Sequence, residues 1–465
     1  MQDAPLILWF RRDLRLADNP MLTAAAQTGR PVIPLFILDP ETGALGAAPR
    51  WRLGLALDAF GKALAGRGLR LVLRQGPALE VLQGLVAETG AAGVMWGRLY
   101  DPTAQARDSG VKAALKAQGT GAESFPGFLL HEPWTVSTGE GGFYRVFTPF
   151  WKALRGREVG FSLPEPKALR GPETWPAGED LARWNLARGM NRAAPVVAAH
   201  QAVGEAAAQA RLERFLGVIG DYQAQRDRMD LPATSGLSEN LTWGEIGPRQ
   251  VWHAGFRAME EGAAGAETFL KELAWREFAW TLAFHTPHIL ERNWKAEWDG
   301  FGWEGESPAA EAWRRGRTGE PVVDAAMREL WVTGRMHNRA RMIVASYLTK
   351  HLLTDWRIGQ KWFAETLTDW DPASNAMGWQ WVAGCGPDAA PYFRIFNPAT
   401  QAEKFDPEGR YRRHWLNPGA EGARQFLAAA PLSWAIGPGT RPPMPLIALD
   451  VGRARALAAF DARKA

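Results

Sequence analysis

The feature that most constrains this chain is a change of period partway along it. Over the first 130 residues, short apolar runs at 6–10 (LILWF), 32–38 (VIPLFIL), 69–73 and 93–96 alternate with Ala- and Leu-rich stretches near 21–27, 50–66, 77–89 and 104–117. Runs of that length suit buried strands, and the longer stretches suit helices. The β-α-β-α order predicts a parallel sheet covered by helices. No G-x-G-x-x-G follows the first run; WFRRDLR stands there instead, which argues against an ordinary dinucleotide-binding domain. From about 201 onward the signals are helical, ending in a short helix near 451–462. Between them Pro and Gly recur, as in FSLPEPKALRGPETWPAG, and predict a long connection. The expected organisation is an α/β domain over 1–131, a connection over 132–200 and an all-α domain over 201–465.

Composition narrows the function classes. Hydrophobic residues make up 46% and charged residues 22%, as in soluble globular proteins. No run of about 18 apolar residues is present, so no membrane span is expected. The apolar stretch at the N-terminus is too short for a signal peptide, which predicts a cytoplasmic protein. The single cysteine, Cys385, excludes an internal disulfide and a four-cysteine zinc or cluster site. A net charge of +4 and a pI near 9.2 permit a nucleic-acid partner without demanding one. There are 23 tryptophans against 6 tyrosines, many of them lying among charged residues between Trp243 and Trp381. A plain core does not read that way.

Four blocks carry chemistry. In KELAWREFAW (271–280) a helix places Glu272, Trp275, Arg276 and Ala279 on one face. That set suits a partner with both a π-surface and phosphate, or a surface ion pair beside a buried Trp. In TGRMHNRARMIVASYL (333–348) a helix starts near His337, with Asn338, Arg341, Met342 and Ala345 on one face. Asn338 suits a base edge or a helix cap. Arg341 suits a carboxylate, and Met342 a ring. In LTDWDPASNAMGWQW (367–381), Asp369 and Asp371 occupy a Pro-containing loop and Asn375 follows at a helix start. Trp379 and Trp381, two apart, point in separate directions, one inward and one toward a ligand. No histidine lies nearby, so no metal is expected. Finally TSGLS (234–238) puts small hydroxyl residues before a helical run, which suits a phosphate or a simple capping loop.

Together with WFRRDLRLADNP (9–20), FYRVFTPFWKAL (143–154), LAWREF (273–278), VDAAMRELWVTGRMHNRARM (323–342) and GWQWVAGCGPDAAPYFRIFNP (378–398), these blocks resemble the photolyase/cryptochrome family over nearly the whole chain and in the family's order. The resemblance implies an α/β N-terminal domain of the antenna type with a parallel sheet, and an all-α C-terminal domain holding FAD. Within the family the motifs look like those of a class I cyclobutane pyrimidine dimer DNA photolyase. Such an enzyme is a light-driven lyase, a monomer acting on DNA that contains pyrimidine dimers. By resemblance the FAD contacts fall on Tyr222, Thr234, Ser235, Gly236, Leu237, Ser238, Arg276, Asn338, Arg341, Asp369, Asp371 and Asn375, with Arg341 and Asp369 paired beside the flavin and Asn375 facing its N5. Lesion contacts fall on Glu272, Trp275, Asn338, Met342 and Trp381, and contacts to the DNA backbone on Arg226 and Arg339. Trp379, Trp356 and Trp303 match the family's electron path from flavin to surface.

The same resemblance separates the alternatives. Photolyases for the (6-4) lesion place a second histidine where Asn338 stands. Cryptochrome-like receptors often carry Asp or Cys where Asn375 stands. Some positions depart from the family. Gly236 stands where many relatives have a basic residue, and Phe269 and Arg335 where some have Trp. Thr103 and Ala104 replace the Asn-Glu pair of folate-binding relatives, so a folate antenna is not expected. A deazaflavin, another flavin or no second chromophore stay open.

Overall fold

The computed structural model describes residues 4–463. Strands β1 (Leu6–Phe10), β2 (Val32–Leu38), β3 (Val72–Gln75), β4 (Gly93–Gly97) and β5 (Gly121–Phe125) form a five-stranded sheet in the order β3-β2-β1-β4-β5. Every pairing is parallel, with Leu6 opposite both Val32 and Gly93. Helices α1 (Pro20–Gln27), α2 (Ala47–Ala65), α3 (Ala78–Thr89) and α4 (Pro102–Ala117) supply the crossovers. Because helices cover both faces, β1 and β2 are buried at every residue and read as continuous apolar runs. Leu6, Leu8 and Phe10 enter one core layer and Ile7 and Trp9 the other, following the strand's period of two.

Two elements differ from expectation. The third strand begins at Val72 rather than 69, because Leu69 belongs to the end of α2. Its N–H donates to Leu64 O at 3.0 Å, across Gly68 at φ +72°. The fifth strand, GAESF, carries no apolar run: it is the sheet's edge and is half exposed.

The remainder is helical. Helix α5 (Phe147–Arg155) lies in the expected connection and buries Phe147, Phe150, Trp151 and Leu154 in one cluster with α7 residues. The elements that frame the site are α6 (Ser238–Trp243), α7 (Ala266–His285), α8 (Asn338–Ser346), α9 (Trp356–Thr366) and α10 (Pro372–Ala383). No helix among the described residues is long and apolar enough to cross a membrane.

The WFRRDLR motif turns out to be a docking loop. Trp243, from α6, sits in the α/β core with Phe10, Leu14, Leu53 and Leu57. Its carbonyl accepts the Leu14 N–H at 3.2 Å. Gly244 follows at φ +68°, and a Cβ there would lie 2.0 Å from the Arg12 carbonyl oxygen, so no other residue fits. Arg15, itself buried, donates to the carbonyls of Gly244 (3.0 Å), Gly127 (3.0 Å) and Asp18 (2.9 Å). Beside it Arg52 of α2 pairs with Glu245 at 2.6 Å, out of contact with solvent. Removing one partner strands the other charge, so Arg52→Ala and Glu245→Ala should each cost about 3–5 kcal/mol in urea denaturation. Replacing both with apolar residues of similar volume should cost less than either single change. Additive losses would show that the two charges are not coupled.

Candidate active site

Residues of α6, α7, α8 and α10 converge on a cleft with about 790 Å³ of free space, its mouth included. That is the size of a small-molecule site. Tyr222, Ser235, Leu237 and Ser238 line it on one side and Glu272 and Arg276 on another. Arg341, Asp369, Asp371 and Asn375 complete the wall. Of the residues expected at a cofactor, Thr234, Gly236 and Asn338 flank these positions in sequence without lining the cleft themselves.

The acidic side of the cleft is built by secondary structure. Asp371 caps α10: one carboxylate oxygen accepts the Ser374 N–H at 2.7 Å, and the other accepts Trp280 Nε1–H at 2.8 Å. The Asn375 amide donates to the Asp371 carbonyl at 3.0 Å, which leaves its own carbonyl oxygen without a donor among the described residues. Asp369 is held by its backbone. Thr242 Oγ1 donates to its carbonyl at 3.3 Å, and Trp243 Nε1 to the Thr368 carbonyl at 3.1 Å. Asp369 Oδ2 accepts from Arg341 Nη2 at 2.7 Å, while Oδ1 is buried with no partner. Burial, and then the nearby Glu272 carboxylate, raise the pKa of the Tyr222 phenol, so it stays a neutral donor.

At the outer edge, Arg226 is paired with Glu272 and lies 5.6 Å from the Tyr222 ring centre. Arg339 pairs with Asp227 at 2.6 Å. Trp275 stacks on Phe147, ring centres 3.7 Å apart and planes within 7°, so one face of its indole is already covered. Met342 and Trp381 are half-buried against the C-terminal core. The cap of α8 is His337, whose Nδ1 accepts the Arg339 N–H at 3.1 Å, and not Asn338. The Asn338 amide therefore has no hydrogen bond among the described residues. The TSGLS hydroxyls do not cap α6 either, since its N-cap is Leu237.

The three expected electron-path tryptophans occupy one region. Trp379 is 3% exposed and its ring edge lies close enough to α9 that a Cβ at Gly359 would come within 2.1 Å of it. Trp356, on the same helical face as Gly359, is fully buried and donates to Asn293 Oδ1 at 2.9 Å. Trp303 is partly buried. Its neighbour Glu304 bonds backbone to backbone with Leu353 and Asp355, at 2.6 and 2.9 Å, at the start of α9. Trp381 is the outward member of the 379/381 pair, as the spacing predicts. Glu239, Trp243 and Trp280 escape sequence reasoning although they hold the site. Trp280 was visible inside KELAWREFAW, and Glu239 directly follows TSGLS.

In the α/β domain, Thr103 and Ala104 form the first turn of α4, where Ala104 N–H bonds the Asp101 cap at 2.8 Å. The carboxyl ends of β1 and β4, where parallel sheets bind ligands, are filled by this chain's own side chains. Arg11 Nη1 donates to both Asp108 carboxylate oxygens, at 2.9 and 2.7 Å, its Nη2 donates to the Gly97 carbonyl, and the guanidinium lies over Trp9 at 4.4 Å.

A cleft of this make-up, walled by helices and docked on a parallel α/β domain, defines a two-domain protein with a nucleotide-cofactor site. Residues 269–462 match the model of the FAD binding domain of DNA photolyase, and residues 6–168 that of DNA photolyase. A deoxyribodipyrimidine photo-lyase of Agrobacterium fabrum is 45% identical over 100% of this chain and 99% of that protein. The crystal structure of a class III photolyase from Agrobacterium tumefaciens superposes with a TM-score of 0.92 at 44% identity, covering 100% of this chain and 98% of the other. An archaeal photolyase from Sulfolobus tokodaii, solved with two FAD molecules, gives 0.81 at 27% identity, covering 98% and 100%. The chain belongs to the photolyase/cryptochrome family. Because the likeness extends to a class III enzyme, membership is shown for the family as a whole rather than for class I.

Beside the cleft, Glu277 of α7 accepts the N–H groups of Leu130 at 2.9 Å and His131 at 3.3 Å, tying the interdomain segment to the helix that carries Arg276. Burial pushes its carboxyl up to about 7 from an ordinary 4.5, against the opposing pull of Arg276. A raised acid pKa means the native state holds the proton longer, so stability falls as pH rises from about 4.5 to 7. Glu277→Gln should remove that slope. Between pH 5 and 8 the wild type should lose about 2–3 kcal/mol relative to the variant in urea midpoints. A difference independent of pH would mean that Glu277 is ionised throughout.

Proposed function

We propose that the protein is a light-driven lyase that splits cyclobutane pyrimidine dimers in DNA, with FAD held in the cleft. The observation that carries this reading is the half-open Asp369. One oxygen is fixed by Arg341, and the other is a buried acceptor with no donor, in the wall shared with Asn375. A buried acceptor left unpaired is costly, and the N–H and O–H groups of a flavin and its ribityl chain match it. The uncommitted Ser238 hydroxyl, with Arg276, suits the cofactor's phosphates. Arg341, Asp369 and Asn375 would hold FAD there, and in its reduced form it would supply the excited-state electron for opening the cyclobutane ring and recover it afterwards.

The chain's own residues do the rest. Photolyases are among the enzymes that extrude their target base, at a cost of a few kcal/mol. The free face of Trp275 and the outward Trp381 repay part of that cost by stacking on the dimer, at about 1–3 kcal/mol each. Phe147 holds the Trp275 ring in place, so little freedom is lost on binding. Glu272 and the unpartnered Asn338 amide accept and donate hydrogen bonds at pyrimidine edges, and Met342 packs beside them. Arg226 and Arg339 exchange Glu272 and Asp227 for DNA phosphates. Trp379, Trp356 and Trp303 carry electrons inward to restore the reduced cofactor.

Illuminating the FAD-loaded protein with a dimer-containing oligonucleotide should restore free thymines. A flavin-replete, fully reduced protein that restores none would overturn the reading. Asn375 gives a finer test. Its amide nitrogen is committed to the Asp371 carbonyl, so its oxygen is the atom offered to the cleft. Asn375→Asp sets an acceptor against that carbonyl and, when ionised, a negative charge beside a reduced flavin. The repulsion is worth several kcal/mol at most. The variant should bind FAD but lose easy full reduction, followed by absorption under light with reductant, and most repair. Full reduction and repair at the wild-type rate would remove Asn375 from this role.

A further inference from the structure

Gly236 and Arg335, far apart in the sequence, meet in space. Gly236 lies in the TSGLS loop at φ +64°, between the exposed residues Thr234 and Ser238. A Cβ on it would lie 3.5 Å from Arg335 Nη1 and 4.0 Å from Arg211 Nε. Arg211 is committed. It donates to the Gly236 carbonyl at 2.8 Å, to Glu239 at 2.7 Å and to Asn240 at 3.0 Å. The other oxygen of Glu239 accepts Thr368 Oγ1 at 2.7 Å, which leaves Arg335 Nε 3.7 Å away, beyond a hydrogen bond. Arg335 Nη2 donates to the His200 carbonyl at 3.1 Å. The other carboxylate its charge reaches, Glu329, is taken by the Tyr411 hydroxyl at 2.5 Å. Arg335 Nη1 has no acceptor among the described residues, and the side chain is 29% exposed. An under-compensated guanidinium therefore faces the bare backbone of a loop in which Ser235 Oγ accepts the Leu237 N–H at 3.4 Å and the Thr234 and Ser238 hydroxyls are uncommitted.

We propose that Arg335, backed by Arg211, is a phosphate-binding residue, its guanidinium taking an oxyanion over Gly236. The proposal rests on the flavin and DNA reading above, which provides two sources of that oxyanion: the cofactor's diphosphate and the DNA backbone. A guanidinium suits either, because its planar fork matches phosphate oxygens. The missing side chain at 236 is what gives the anion room, and the positive charge comes from a distant part of the chain.

The test uses the FAD-loaded protein and three readouts: FAD dissociation constant, DNA affinity by filter binding across a salt series, and melting temperature. If the oxyanion is a DNA phosphate, Arg335→Gln should reduce the log–log salt slope by about 0.9 with FAD affinity unchanged. If it is the cofactor's diphosphate, FAD should bind at least tenfold more weakly with the slope unchanged. Arg335→Lys should recover part of either loss. Gly236→Glu leaves Arg335 in place but occupies it with a carboxylate, so it should reproduce the loss in a second folded background. An unchanged salt slope together with FAD affinity within twofold of wild type, in both Arg335→Gln and Gly236→Glu, would overturn the proposal, leaving Arg335 as a partner of Glu239 and the His200 carbonyl only. A wild-type protein that binds neither FAD nor dimer-containing DNA would fail the earlier reading instead.

Discussion

Two carboxylates buried where the domains meet, Glu239 and Glu245, set the terms for everything around them. A buried charge costs several kcal/mol unless it is closely partnered, and here the partners come from four places in the chain. Arg52 reaches Glu245 from the α/β domain, Arg211 reaches Glu239, and Asn240 bridges the two by donating to Glu245 at 2.6 Å. Thr368 supplies the last donor. That demand fixes how α6 sits on α2, and it fixes Thr368. Thr368 fixes Asp369 beside it, Asp369 orients Arg341, and the polar wall of the cleft follows. A site residue is thus positioned by an electrostatic requirement well outside the site.

The two aspartates of that wall divide the work. Asp371 spends both oxygens on protein, one on the α10 cap and one on Trp280, so it sets geometry. Asp369 spends one and keeps one. A site whose donors and acceptors are locked before a ligand arrives loses little entropy on binding, and the cleft has this character on its acidic side. At the outer edge the opposite holds: Arg226 and Arg339 are already committed to ion pairs with Glu272 and Asp227.

Much of this was legible in the sequence, and the reasons differ by element. β1, β2 and β4 showed because strands buried on both faces are runs of apolar residues. The shared face of Glu272 and Arg276, the outward turn of Trp381 and the start of α8 showed because helical spacing is a local rule. β5 did not show, since an edge strand needs no apolar run, and the helix at 147–155 was hidden in a Pro- and Gly-rich stretch. The cap of α8 fell to His337 rather than Asn338, a choice between neighbours that periodicity cannot make. The docking role of WFRRDLR, and the pairs Arg52–Glu245 and Trp243–Thr368, lay out of reach because their partners are far apart in the chain.

Trp243 has a consequence for synthesis as well as for structure. It completes the hydrophobic core of a domain whose last strand ends at Phe125. On the ribosome, at ~5–20 residues per second, that core waits roughly ten seconds for its missing indole to emerge. During the wait the pocket that Trp243 will fill, bounded by Phe10, Leu14 and Leu57, stands open. The core of the α/β domain is therefore complete only once the Ser238–Trp243 helix of the helical domain has folded onto it.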